Sequence, residues 1–339
     1  MNKTKAITTY SLWSLFRNCR KACQWRYIQE LVPLDEDPNL AFGTLIHKCL
    51  EIWHGTRDLA VVLDHIDRSY PKRTQEEEQQ KDWHLARAMM KGYAGCYPTE
   101  DFRIVALEKT FEGPITNPAT GKTSRSFVLA GRVDGIVRID CEYFLLEHKT
   151  TSQLDGDYLE RLWTDFQIVL YAYYLERTLG IRITGVLYNI LVKTRLQQGH
   201  GETEAEFEAR RVELIAKSRS GKSNAKRRLP ETDQEFQARL AAKYAEPAMF
   251  HREMLYLSRD QLKALQSELW ELAQAFLDAR RRGVFYRNTA FCFHYHRPCA
   301  YFPLCRADGS TNIIENFYRQ APPHQELRGE GGLEDNGVI

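Results

Sequence analysis

At 339 residues, 43% hydrophobic and 12% aromatic, the chain can bury one large core or two smaller ones. A formal net charge of +2 excludes a uniformly basic surface, so any affinity for nucleic acid has to come from local patches. No N-terminal apolar signal and no ~20-residue apolar run is present, so a membrane role is not expected. The eight cysteines are then expected in a reducing, cytoplasmic compartment, without disulfides.

The opening segment TYSLWSLFRNCRKACQWRYI reads as a short helical stretch ending at Cys19, with Cys23 one turn later. In AFGTLIHKCLEIWHG, Phe42, Leu45, Ile46, Cys49, Leu50 and Trp53 form one apolar stripe of a helix, and Gly43, His47 and Glu51 form the next row. A histidine beside a buried stripe is more often a structural hydrogen-bonder than a ligand. The spacing of His47, Glu51 and His54 does not make a separate zinc site.

SFVLAGRVDGIVRI and EYFLLEHKT both have strand composition, and the short break at Asp140-Cys141 predicts an antiparallel hairpin. If those two residues are the loop, Asp134 lies opposite Glu147; a slip by one residue would turn it to the wrong face. Alternation puts Glu147 and Lys149 on one face of the second strand and His148 on the other, with the His148 carbonyl beside the pair. Two adjacent carboxylates repel, and a divalent cation relieves that repulsion; oxygen ligands favour Mg²⁺ or Mn²⁺. Beside such a cation, a lysine suits hydrolysis of a phosphodiester. Taken alone, this pair reads equally as a salt bridge at a strand edge.

DYLERLWTDFQIVLYAYYLERTLG has helical periodicity through Tyr173 and a glycine end at Gly180, so one helix is expected. Gln167 and Tyr171, four apart, share a face beside its buried stripe. After the strand GVLYNILVKT, residues 196–250 are expected to form a basic helical insertion. Between its helical segments lies a mobile loop carrying Lys217, Arg219, Lys222, Lys226, Arg227 and Arg228, suited to phosphates but equally readable as a solvated loop. SRDQLKALQSELWELAQAFLDARRRG reads as a long capped helix leading to a cysteine-rich segment, 285–310, with Cys292, Cys299 and Cys305. Thiolates gathered this tightly suggest a metal or cluster. Cys49, Cys96 and Cys141 read as small core hydrophobes. Residues 321–339 are polar and glycine-rich and are expected to be a disordered tail. No phosphate-cradling glycine loop is present, so a motor, if used, must be a partner.

The order G-x-x-x-H, G-x-x-D, hydrophobics-E-x-K, Q-x-x-x-Y resembles the PD-(D/E)XK nuclease superfamily. More narrowly, the chain is similar to its RecB-like iron–sulfur branch, which includes nucleases of CRISPR adaptation and AddB-like and phage recombination nucleases. The resemblance implies a single α/β domain over 1–320, with a restriction-endonuclease-like mixed sheet flanked by helices. It implies Asp134, Glu147, His47 and the His148 carbonyl as metal ligands, Lys149 as the catalytic lysine, and Gln167 and Tyr171 as an associated helix motif. It further implies a [4Fe–4S] cluster on Cys19, Cys292, Cys299 and Cys305 that joins the N- and C-terminal segments, with Cys23 the alternative to Cys19. The spacing departs from the commonest form, with His296 where C-x2-C would place a cysteine, so a Cys/His zinc site stays open. The implied activity is a metal-dependent DNA exonuclease on single-stranded or end-opened DNA, in recombination, repair or replication in a bacterium or phage. A helicase or single-strand-binding or recombination protein is the implied partner. An endonuclease of the same superfamily and a non-catalytic DNA-binding subunit are the alternatives.

Overall fold

A computed structural model describes residues 5–35, 37–70, 77–294 and 297–327. Its centre is a six-stranded mixed sheet. Strands β4 (Thr123–Ile139), β5 (Glu142–Thr151), β6 (Ile183–Val192) and β7 (Phe250–Tyr256) lie side by side in that order; β3 (Arg103–Thr116) runs along one edge of β4, and β1 (Ala6–Thr8) shares the other edge with β5. The strand β2 (Leu31–Pro33) stands apart, paired with Tyr318–Gln320. Strands β3, β4 and β5 form an antiparallel meander, whereas β5 and β6 are parallel and so need a helical crossover.

Helices cover both faces because the strands are apolar on both. On β6, Val186, Tyr188 and Ile190 belong to one core and Leu187 and Leu191 to others. The first core holds α1 (Tyr10–Asn18), with Trp13 and Phe16 packed edge-on against Phe276. Beyond α1, the short helix α2 (Arg20–Cys23) buries Cys23 in this same core. The second core is built by α3 (Pro38–Thr56), α4 (Leu59–Ser69) and α5 (Glu77–Cys96). All six residues of the α3 stripe are buried there.

The crossover between β5 and β6 is two helices rather than one, α6 (Gly156–Leu162) and α7 (Phe166–Leu179). The break has a local cause: the Asp165 side chain accepts the Gln167 amide at 2.9 Å and starts α7 afresh as its N-cap. Helix α8 (Glu204–Lys217) buries none of its residues, but α9 (Asp233–Tyr244), also within 196–250, buries Phe236, Leu240 and Tyr244 in the second core. The basic loop between them is tied to the preceding chain: Glu231 N–H donates to the Gly199 carbonyl and Glu202 N–H to that of Arg228. Helix α10 (Arg259–Arg282) packs Leu265, Leu269 and Phe276 onto the first core and ends at Gly283, whose φ of 68° suits glycine.

Past α10, helices α11 (Phe302–Arg306) and α12 (Thr311–Phe317) return to the N-terminal segment. Cys19, Ala22, Trp25 and Leu31 pack there with Tyr301, Leu304 and Tyr318, and Tyr301 Oη donates to the Leu31 carbonyl at 2.8 Å. The N-terminal segment and the segment after α10 thus pack together. Ala321 is buried, its N–H donates to the Glu30 carbonyl, and His324 stacks on Tyr27. His296 and residues 328–339 lie outside the described residues.

Candidate active site

The β4–β5 loop is Asp140-Cys141, with Asp140 at φ 52° and Ile139 paired to Glu142. Counting back from that turn, the ladder reaches Gly135↔Leu146 and stops. The next position is Asp134 opposite Glu147, the register the sequence required. There the backbone ladder gives way to a side chain, because Asp134 Oδ2 accepts the His148 amide at 2.8 Å. The alternation of β4 slips at the same place: Val133 and Ile136, three apart, both face the first core.

Each carboxylate has its own basic partner. His47, on α3, lies 3.2 Å from Asp134 Oδ2 through Nδ1. Burial raises an acid and lowers a histidine, but the attraction between these two outweighs it. Asp134 is therefore held below the usual carboxylate range, and His47 is raised. Glu147 is 3% exposed, with Oε1 at 2.7 Å from Lys149 Nζ. Here burial dominates: with repulsion from Asp134 it raises the carboxyl to about 7, despite the ammonium. Burial acts to lower Lys149, but Glu147 and Asp165 outweigh it, so its pKa is raised and the ammonium stays charged.

Gln167 and Tyr171 sit where the helix periodicity places them. Gln167 Oε1 accepts from Lys149 Nζ at 3.4 Å, and Tyr171 is buried against Phe111, ring centroids 5.1 Å apart. Gly131, in the same GRVDG segment, admits that packing. A Cβ there would lie 2.5 Å from the Phe111 ring and 3.1 Å from that of Tyr171.

Other groups at the site were not singled out from the sequence. Asp165 lies 3.9 Å from Lys149 Nζ and accepts from Tyr188 Oη at 3.2 Å; the signal was its capping position before Phe166. Glu108 pairs with Arg132 at 2.9 Å, and burial together with nearby Asp134 raises its carboxyl to about 7. It lies at φ 47° across from Asp134, between the pairs Leu107↔Gly135 and Lys109↔Val133. Behind the site, the His148 ring stacks on His54 at 5.4 Å and shares the Asn189 amide with Tyr93, both contacts at 3.0 Å. His54 is 3.6 Å from Glu100, so it serves this buried network. Burial lowers His148 to about 3 and His54 to about 2, which keeps both neutral.

Of the cysteines, Cys19 packs with Cys299 and Cys305, while Cys23 points into the first core with Sγ 4.0 Å from the Leu12 carbonyl. Burial raises the Cys299 thiol, and Cys19, Cys305 and Cys292 are near enough to add to the effect. Asn288 Nδ2 donates to the Asn18 carbonyl at 2.7 Å and ties the two cysteine-bearing segments together. Cys49 is buried as expected, but Cys96 and Cys141 are exposed. Among the described residues, no group of three or more His, Cys, Asp or Glu side chains is gathered closely enough to hold a metal ion. At the acidic site Asp134 lies against His47 and Glu147 against Lys149. The donor set still fits a cation, because Glu147 Oε2 is buried with no hydrogen-bond partner.

In the basic loop, Lys217 pairs with Glu213, Arg227 with Glu204 and Arg228 with Glu202. Arg219, Lys222 and Lys226 have no carboxylate partner among the described residues.

A central mixed sheet flanked by helices, with two acids and a lysine at a strand fork, is consistent with a restriction-endonuclease-like fold. The model of the PD-(D/E)XK nuclease superfamily matches residues 8–306, and the chain belongs to that superfamily. Its members are typically phosphodiesterases and generally use Mg²⁺ or Mn²⁺, which suggests a metal-dependent nuclease that binds DNA. No curated protein matches the chain. Among the described residues, no helix is long and apolar enough to cross a membrane.

Proposed function

We propose that the chain is a Mg²⁺- or Mn²⁺-dependent DNA exonuclease acting on single-stranded or end-opened DNA in recombination, repair or replication. The observation that carries the metal-dependent reading is the buried, unpartnered Glu147 Oε2, on a carboxylate close enough to Asp134 to feel its charge. Asp134, Glu147, His47 and the His148 carbonyl would hold the cation. When bound, it lowers the pKa of water and offsets the charge that builds on the phosphate.

The chain's own residues supply the rest. Lys149 stays an ammonium and is aimed by Glu147, Gln167 and Asp165, so it offers a fixed positive charge to a phosphate oxygen or the attacking water. Asp134 stays ionised at all working pH because His47 and the His148 amide stabilise its charge. The exonucleolytic reading rests on the resemblance to the iron–sulfur branch. Supporting that branch, Cys19, Cys299 and Cys305 belong to one small core, and Asn288 ties the segment leading to Cys292 to the Asn18 carbonyl. On that reading the four cysteines hold a [4Fe–4S] cluster, with Cys19 favoured over Cys23 because Cys23 turns into the first core.

The test is Mg²⁺-dependent degradation of linear single strands, linear duplexes and covalently closed circles. Linear single strands should be lost and circles should persist; circles cut as fast as ends would replace the exonuclease by an endonuclease. Lys149→Ala should lower cleavage by about 10²-fold or more, the scale for loss of one electrostatic stabiliser. Full cleavage by that variant would remove the mechanism.

A further inference from the structure

Two basic regions of the domain differ in how much of their charge is already neutralised. In the loop after α8, three of the six cations are paired with glutamates of the same insertion. At the other end, no Asp or Glu precedes Glu30, while Arg17, Arg20, Lys21 and Arg26 fall within the first 29 residues. Among the described residues, Arg17, Arg20 and Lys21 contact aromatic rings and have no carboxylate partner. Arg17 lies over Phe166 at 4.6 Å, Arg20 between Phe16 and Tyr286, and Lys21 over Trp25.

This first basic region adjoins the catalytic centre. An open cleft of about 220 Å³ separates α1 from the start of α7, lined by Tyr10, Ser14, Arg17, Asn18, Asp165 and Phe166. That is less than the roughly 300–1,000 Å³ that encloses a drug-sized ligand, and it suits one unit of a chain passing across it. Asp165 is shared between cleft and catalytic centre, and its carboxylate is engaged inward with the Gln167 amide, Tyr188 Oη and Lys149. Tyr10 spans the same boundary, packing on Phe166 and Tyr171 at 6.4 Å each. Arg17 is exposed, and the Phe166 ring holds its guanidinium at the cleft, so little conformational freedom remains to be lost on meeting an anion.

We infer that single-stranded DNA runs from the catalytic centre along α1 and α2, with Arg17 as its phosphate contact in the cleft, rather than over the loop at 217–228. The inference rests on the nuclease reading of the site, but its test does not depend on cleavage. Binding of a labelled oligo-dT strand is followed by fluorescence anisotropy in EDTA, between about 50 and 200 mM salt. Loss of one charge-assisted phosphate contact from Arg17→Ala should weaken binding about tenfold and reduce the log–log salt slope by about 0.7. Arg17→Lys should keep the slope. Because the side chain is exposed, circular dichroism should show both variants folded.

The competing measurement is the combined Arg219→Ala, Lys222→Ala, Lys226→Ala chain. If it loses affinity and slope while Arg17→Ala binds like wild type, the inference is overturned. Cleavage by wild type in Mg²⁺ is scored separately. An inert protein that binds through Arg17 overturns the nuclease reading alone, and an active one indifferent to Arg17 overturns the strand path alone.

Discussion

Replacing Glu147 with Gln removes a charge and keeps the shape of the side chain, so its effect on stability should depend on pH. Burial and Asp134 raise this carboxyl from 4.5 to about 7, against the pull of Lys149. The folded pKa lies above the unfolded one, so the associated stability is complete below about pH 4.5 and is lost as pH rises through about 7. At about 1.4 kcal/mol per tenfold in proton affinity, that rise corresponds to about 3 kcal/mol. With Glu147 only 3% exposed, solvent screening removes little of it. Urea unfolding in EDTA should therefore show wild type losing about 3 kcal/mol relative to Glu147→Gln between about pH 4.5 and about pH 8. A difference between the two proteins that stays constant with pH would refute the reasoning. Adding Mn²⁺ at about pH 8 should stabilise wild type, by about 2.7 kcal/mol at a hundredfold excess over Kd, and leave the variant where it was.

Cys19→Ser should abolish bound iron and visible absorbance in anaerobically purified protein. Cys23→Ser should keep the iron and lower stability by about 1–3 kcal/mol, since it puts a hydroxyl into the first core; the opposite pattern in iron content would exchange their roles. Gly131→Ala forces a methyl to within 2.5 Å of the Phe111 ring, and a cost of about 1–3 kcal/mol should appear as a lower urea midpoint.

The hairpin was legible because a two-residue connection fixes the register of everything before it. Once Asp140-Cys141 is the loop, Asp134 can only face Glu147. The α3 stripe and the Gln167–Tyr171 pair were legible because 3.6-residue periodicity is local. What escaped sequence reasoning is convergence in space. The partners of the His148 ring come from β6 and α3, and Glu202 and Glu204 reach Arg228 and Arg227 across more than 20 positions. The break before α7 was different: Thr-Asp ahead of Phe166 is a capping signal, overridden in the reading by an unbroken apolar period.

The catalytic pair sits where the sheet itself comes apart. With β3 along one edge of β4, both β1 and β5 must share the other; the pairing with β1 stops at Leu129 and the pairing with β5 stops at Gly135. Residues 130–134 therefore lack a strand neighbour on that edge, and Asp134 is the last of them. An unpaired backbone there is costly unless another group takes its place, and the Asp134 carboxylate does so by accepting the His148 amide. The same bond fixes the carboxylate and draws it to His47, while Glu147, one residue before the shared amide, is left with one oxygen bound to Lys149 and the other unpartnered. One carboxylate is thus ionised throughout, and the other ionises only near pH 7. It follows that affinity for a divalent cation should rise with pH as Glu147 and His47, whose pKa is also raised, give up their protons. Titrating Mn²⁺ by electron paramagnetic resonance across neutral pH checks this. A flat affinity between about pH 5.5 and about pH 8 would mean that Glu147 does not ligate the ion.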